Sequence, residues 1–233
     1  MMKNQLKNPA NNFKIKLMKK INIIILFIIT NISCKAQIID RYDNNTIIGK
    51  VGGVYYKDIN NFRDQFVGTW ILTQGNTSLT IKIQKRDNIS NFNGLNSYNE
   101  DLLIGEYRYI ENGIEKINTL HNINTNYGND YDSNLEHNLI GDMFLRRSTD
   151  FPKCSECSQD EKRMKFSYSE PNYDGMGVAN GYMVVRKFIE NGVEKIKIWF
   201  FTTNQTQRHD ANGNPIIPAP FKIPFGEYIL IKQ

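Results

Sequence analysis

Residues 66–84 read FVGTWILTQGNTSLTIKIQ, and the fold is decided inside that stretch. On its amino-terminal side the apolar residues keep helical spacing. Ile59, Phe62 and Phe66 lie on one face behind Asp58, which stands where an N-cap would. One or two turns of helix are predicted there, ended by Gly68. From Trp70 onward the period changes to two. Leu79, Ile81 and Ile83 fall on one face, with Thr80, Lys82 and Gln84 on the other, as a strand with one wet side requires.

The same rhythm recurs along the chain. RMKFSY sets Met164, Phe166 and Tyr168 against Arg163, Lys165 and Ser167; VEKIKIWF sets Ile196, Ile198 and Phe200 against Lys195, Lys197 and Trp199. Strands are predicted near 69–74, 78–85, 101–111, 114–120, 139–146, 162–169, 181–190, 193–201 and 226–232, and no segment after Gly68 keeps a helical period. The expected fold is all-β: an antiparallel up-and-down barrel or sandwich of eight or nine strands with a short N-terminal helix. Polar stretches at 86–99, 121–138, 148–160 and 202–220 read as loops, a place where a binding surface could lie. YIENGIEKI at 109–117 and FIENGVEKI at 188–196 echo each other. Asn112-Gly113 and Asn191-Gly192 are the pairs a type I′ hairpin needs, since both central residues take positive φ.

A helical turn followed by Gly68-Thr69-Trp70 at the head of the first strand resembles the lipocalin and fatty-acid-binding superfamily, where the tryptophan plugs the closed end of a barrel. The resemblance implies a small apolar or amphipathic ligand in the barrel mouth. Inward aromatics such as Tyr107, Tyr109, Phe166 and Phe200 would then be either its walls or simply core. A late basic residue packs on that tryptophan in the family; Lys222 and Lys232 are the loose counterparts. The whole chain resembles small exported bacteroidete proteins of a family with no assigned function. The shared features are SCKAQ at 33–37, the early GTW, the late Trp-Phe-Phe strand followed by Thr-Thr-Asn, and the closing PFKIPFGEYILIK.

Residues 18–33, MKKINIIILFIITNIS, put two lysines ahead of an apolar run from Ile21 to Thr30. That run is too short for a hydrocarbon core, which needs about 20 residues, and suits the h-region of an export signal. Residues 1–17 are polar and read as a start-site extension ahead of Met18. Ser33 before Cys34 resembles a lipobox, although Asn31 is a poor fit to its aliphatic position. The reading preferred is therefore a lipid on Cys34, tethering the domain to a membrane surface on the periplasmic side. The rival is ordinary cleavage after Ala36. Residues 34–57 read as a polar tether, with a short strand within 46–56, and 58–233 as one β domain.

The leader also settles the charge. The chain of 233 residues has 29 basic and 24 acidic side chains; residues 1–33 hold six of the former and none of the latter, leaving 23 against 24, or −1. The electrostatic case for nucleic acid disappears with the leader. Removing Cys34 from the domain leaves Cys154 and Cys157, which an oxidising compartment would close into a structural disulfide. Thioredoxin-type reactivity would need the first cysteine at a helix N-terminus, and these flanks read as loop. Zinc is disfavoured because His121, His137 and His209 are scattered. Asp130–Asn134 and Asp210–Asn214 imitate calcium loops but lack the sixth-position glycine and the closing glutamate, so they read as turns. No nucleophile elbow, phosphate loop or dinucleotide fingerprint is present, and no cofactor is expected. The sequence thus predicts a non-enzymatic envelope protein. It would bind a small hydrophobic ligand or serve as an envelope accessory; the alternative is a surface module holding a protein or glycan through its loops.

Overall fold

The computed structural model describes residues 36–173, 180–203, 208–209, 212, 215–216 and 220–233. Residues 18–33, read from the sequence as an export leader, and Cys34 lie outside them, as does Asp210–Asn214 except for Asn212. Ile38–Gln233 is one compact unit.

Eight strands close a barrel. In chain order they are β3 (Gly68–Gln74), β4 (Thr77–Phe92), β5 (Ser97–Glu111), β7 (Leu139–Leu145), β8 (Arg163–Tyr168), β9 (Asn180–Glu190), β10 (Val193–Thr203) and β13 (Gly226–Lys232). Each pairs antiparallel with the next, and β13 returns to β3 through Ile231↔Ile71 and Lys232↔Trp70. This is the up-and-down barrel expected, with sheet edges removed by closure. Outside the ring lie β6 (Ile114–Asn118), paired with β5, the small ladder β11 (Arg208–His209) with β12 (Pro215–Ile216), and β1 (Gln37–Asp40) with β2 (Val54–Lys57). The short helix is a 3-10 turn, Phe62–Phe66. Asp58 holds its start, accepting from the amides of Phe62 at 2.9 Å and Arg63 at 2.7 Å.

The inward residues read from alternation all fall in one core. Leu79, Ile81, Ile83, Tyr107, Tyr109, Met164, Phe166, Tyr168, Ile196, Ile198 and Phe200 are buried together with Trp70. Rings fill the end of the barrel opposite Trp70. Tyr168 packs on Tyr107 at 4.9 Å and on Phe200 at 4.7 Å between centroids, and Phe221 closes over it at 5.2 Å. Inward glycines make room for these rings: a Cβ on Gly141 would come within 2.6 Å of Phe166, and one on Gly181 within 2.8 Å of Tyr168. Small and large residues alternate so that the side chains pack the interior. At the other end the Trp70 indole donates to the Phe66 carbonyl at 2.8 Å, and the Lys232 ammonium lies 5.4 Å from its ring centroid. Of the two lysines singled out from the sequence, Lys232 is the one on the tryptophan. Gly68, at φ 136°, lets the lysine chain pass: a Cβ there would sit 3.2 Å from Lys232 Cε.

The structure departs from the sequence reading in three places. Residues 86–99, expected as a loop, continue β4 and β5 into a long hairpin arm. A bulge between Arg86 and Ile89 breaks the alternation that would have revealed it. Residues 34–57, read as a polar tether with a short strand within 46–56, carry a strand at the end of that range, β2, which runs parallel to β5 through Tyr55↔Asn99 and Tyr56↔Glu100, but they also bury Arg41, Tyr42, Val54 and Tyr56 against the domain. Trp199, expected on a wet face, is buried at 6% exposure under the 146–162 connection, where Cys154 and Val184 join it in a small cluster. The two Asn-Gly turns have positive φ at all four residues, as a type I′ turn needs. They do not face the same way. β5 and β9 are antiparallel around the ring, so Asn112-Gly113 and Asn191-Gly192 stand at opposite ends of the barrel.

Candidate functional site

A buried polar network lies where β5 and β7 part. They pair only through Leu103↔Gly141, Ile104↔Ile140 and Gly105↔Leu139. Beyond Gly141, β7 bulges against β8 between Ile140 and Met143 and swings away, while β5 turns to β2 for its next partner. The parting strands leave the carbonyls of Gly141 and Asp142 to be satisfied by side chains, since buried backbone groups need partners. Two buried arginines do so: Arg63 donates through Nη1 to Gly141 O, and Arg41 through Nη2 to Asp142 O. Burial holds the Arg63 guanidinium below its usual pKa. Arg41 also donates through Nη1 to Glu100 in a buried ion pair, and the other Glu100 oxygen accepts from Asn91 Nδ2 at 2.6 Å. Next to Glu100 in sequence, the buried Asp101 accepts from the Tyr55 hydroxyl and the amides of Asp58 and Asn88, tying β2, the helical turn and the β4 bulge to one carboxylate.

Over this network opens a cleft of about 590 Å³. Its polar lining includes Arg41, Asn91, Asn93, Glu100, Asp142, Arg146 and Lys165, and Tyr98, Tyr131 and Phe144 supply flat apolar surface. The Tyr131 hydroxyl donates to Asp142 Oδ2. Burial and the Asp142 carboxylate keep that phenol protonated well above its ordinary range, so it is a fixed donor. Asp142 Oδ1 and Arg41 Nε are buried without a hydrogen-bond partner. Lys165 stands opposite Met143 in the ladder, 4.0 Å from the Tyr182 ring centroid; burial lowers its pKa and Asp142 pulls it back up. Arg146 lies 4.7 Å over the Phe144 ring. The cleft thus sets charged and amide side chains beside aromatic walls, and the two unpartnered atoms belong to residues that line it.

The residues singled out from the sequence stand elsewhere. Cys154 and Cys157 form a disulfide in the 146–162 connection, with Cys154 buried at 4% exposure and no helix following it. Arg163 pins that connection, donating to the carbonyls of Pro152, Arg147 and Asp150. His137 is buried beneath the 120–138 segment, its Nδ1 2.9 Å from Glu106 Oε1, while Asn138 Nδ2 donates to the other Glu106 oxygen at 2.7 Å. The pair fastens that segment to β5. Asp130 caps a one-turn helix, accepting from Ser133 N at 2.9 Å and Ser133 Oγ at 2.7 Å, so the Asp130–Asn134 stretch is built as a turn. Among the described residues, no group of three or more His, Cys, Asp or Glu could hold a metal ion. Also among them, no helix is long and apolar enough to cross a membrane. Tyr107, Tyr109, Phe166 and Phe200 pack into the barrel core, away from the cleft. None of the cleft residues other than Lys165 was singled out by sequence.

Residues 18–233 match the model of a family described as a family of unknown function, DUF6705. No curated protein and no solved structure matches the chain.

Proposed function

We propose, for a chain that belongs to this family of unknown function by a match over residues 18–233, that it is an exported binding module held to a membrane surface by a lipid on Cys34. It takes a hydroxyl-rich ligand of the glycan class in the cleft beside β7. The leader supports export, and the Cys154–Cys157 disulfide is the kind of bond an oxidising compartment maintains. One observation carries the binding reading: Arg41 and Asp142 line an open cleft with Tyr98 and Phe144, and each keeps a buried polar atom without a partner, while aromatic side chains pack the barrel interior. A sugar ring supplies donors and acceptors together with an apolar face, so it matches both kinds of lining. A purely apolar ligand would displace water from the charged side chains of the cleft without replacing its hydrogen bonds.

Asp142 decides the matter. A glycan array carrying envelope polysaccharides and their fragments should retain the processed protein, and Asp142→Asn should weaken that binding by about tenfold or more, the usual effect of removing a charged acceptor. A folded wild-type chain that binds no glycan, or an Asp142→Asn variant that binds as well as wild type, overturns the proposal.

A further inference from the structure

The hairpin arm ends in an exposed apolar tip. Past the rim of the barrel, β4 and β5 run on to Phe92 and Ser97 as part of a side sheet ordered β1-β2-β5-β4. That sheet has its own small core of Val54, Tyr56 and Tyr98, with Ile39 and Ile48 packed against it. The turn beyond is held by Asn93, whose Oδ1 accepts from the amides of Leu95 at 3.1 Å and Asn96 at 2.9 Å. Its Nδ2 donates to Gly49 O at 3.0 Å, and Asn96 Nδ2 reaches Gly49 O and Lys50 O. The asparagines thus clip the Ile47–Gly53 loop to the hairpin turn. What this fixed frame displays is apolar: Leu95 is 87% exposed, Phe92 64%, Ile47 62% and Val51 45%.

A preorganised tip that holds four large apolar side chains in water has an occupant, because single exposed apolar residues are ordinary but a fixed group of them is not. Its chemistry can be read from what surrounds it. Residues 44–57 and 88–99 contain Lys50 and Lys57 and no Asp or Glu, so the tip suits an anionic surface. Four side chains on a projecting turn are far smaller than the roughly 800 Å² per partner of a stable protein interface. The tether proposed above leads to the same side sheet. Cys34 precedes Ile38 by four residues, which span at most about 14 Å when extended, and Ile39 packs into the core from which the tip projects.

We propose that Ile47, Val51, Phe92 and Leu95 seat in the interfacial layer of the membrane to which an acylated Cys34 tethers the chain, an inference that rests on the tether reading. The hairpin arm then fixes the orientation of the barrel as well as its attachment, with Asn112-Gly113 turned away from the bilayer.

The test places a tryptophan in the processed full chain at Leu95→Trp, with Ile114→Trp as control. Ile114 is 62% exposed on the hairpin at the other end of the barrel. Vesicles of phosphatidylethanolamine and phosphatidylglycerol carry phosphatidylcholine brominated in its acyl chains. The native Trp70 and Trp199 are buried and give a constant background. The expected result is quenching at position 95 about twofold or more above that at 114, the signature of shallow insertion. Quenching that is equal at the two positions, or absent at 95, overturns the proposal, including the case where a protein partner covers the tip. Mass analysis of the N-terminal peptide reads the tether separately. If Cys34 carries no lipid, the tether reading fails, and quenching of free chain on the same vesicles still decides the tip. Phe92→Trp replaces Leu95→Trp if the latter does not fold.

Discussion

Glu100 and Glu194 show how differently two carboxylates act in one protein. Glu100 is buried against Arg41, and neither group has an alternative in water. Glu100→Ala leaves a buried guanidinium without its counter-charge and should cost about 3–5 kcal/mol in urea denaturation; Arg41→Met combined with Glu100→Leu should recover most of that loss. If the double variant is as unstable as the single one, the pair is not the source of the cost. Glu194 works at the surface, hydrogen-bonded by Lys187 at 2.7 Å and by Lys232 at 2.8 Å, and those bonds lower its pKa to about 2. Because its folded pKa lies below its unfolded one, its stabilising contribution is present above the ordinary glutamate range. It is lost as pH falls from there toward 2. A carboxyl titration followed by NMR should find Glu194 among the last to protonate, and Glu194→Gln should flatten the acid limb of the stability curve. A midpoint for Glu194 near an ordinary glutamate would remove the two lysines as effective partners.

Among the elements, the 146–162 connection lies on the outer face of β9 and β10 with two fastenings of unequal strength. The disulfide closes a loop with a sequence separation of three, so its effect on the unfolded chain is small, about 2 kcal/mol. Arg163 holds three carbonyls of the same connection and sits 5.6 Å from the Trp199 ring centroid. Reduction should therefore lower stability by about 2 kcal/mol and leave Trp199 largely covered, whereas Arg163→Ala should expose it and shift its emission to the red. Full exposure of Trp199 on reduction alone would reverse the order of the two fastenings. The sequence disclosed this cysteine pair, but nothing in its spacing announced Arg163, whose position in the RMKFSY alternation gave only a wet face. The hairpin arm was hidden for a related reason. Past Gln84 the strands β4 and β5 go on pairing with each other, joined by the parallel β2 only at Asn99 and Glu100 of β5, and the bulge after Arg86 shifts the period midway.

For the molecule as a whole, alternation and the Gly68–Trp70 turn made the barrel legible because every ring strand has one dry face, and that constraint is written locally. The cleft was not legible, because Arg41 meets Glu100 across 59 residues and Asp142 across 101, and such separations leave no local pattern. The acid pair Glu100-Asp101 running directly into Leu102–Gly105 was the available hint: charges entering a continuous apolar strand need partners from elsewhere. Those partners give β5 an unusual place. Along one edge it takes β2, then β7, then β6, so a single strand belongs to the barrel, to the side sheet and to the hairpin at the far end. A pull applied at the amino terminus reaches β1 and β2 first. It is passed to β5 through a parallel ladder of two rungs and through the guanidinium of Arg41, so mechanical load on the chain enters the barrel wall beside the cleft.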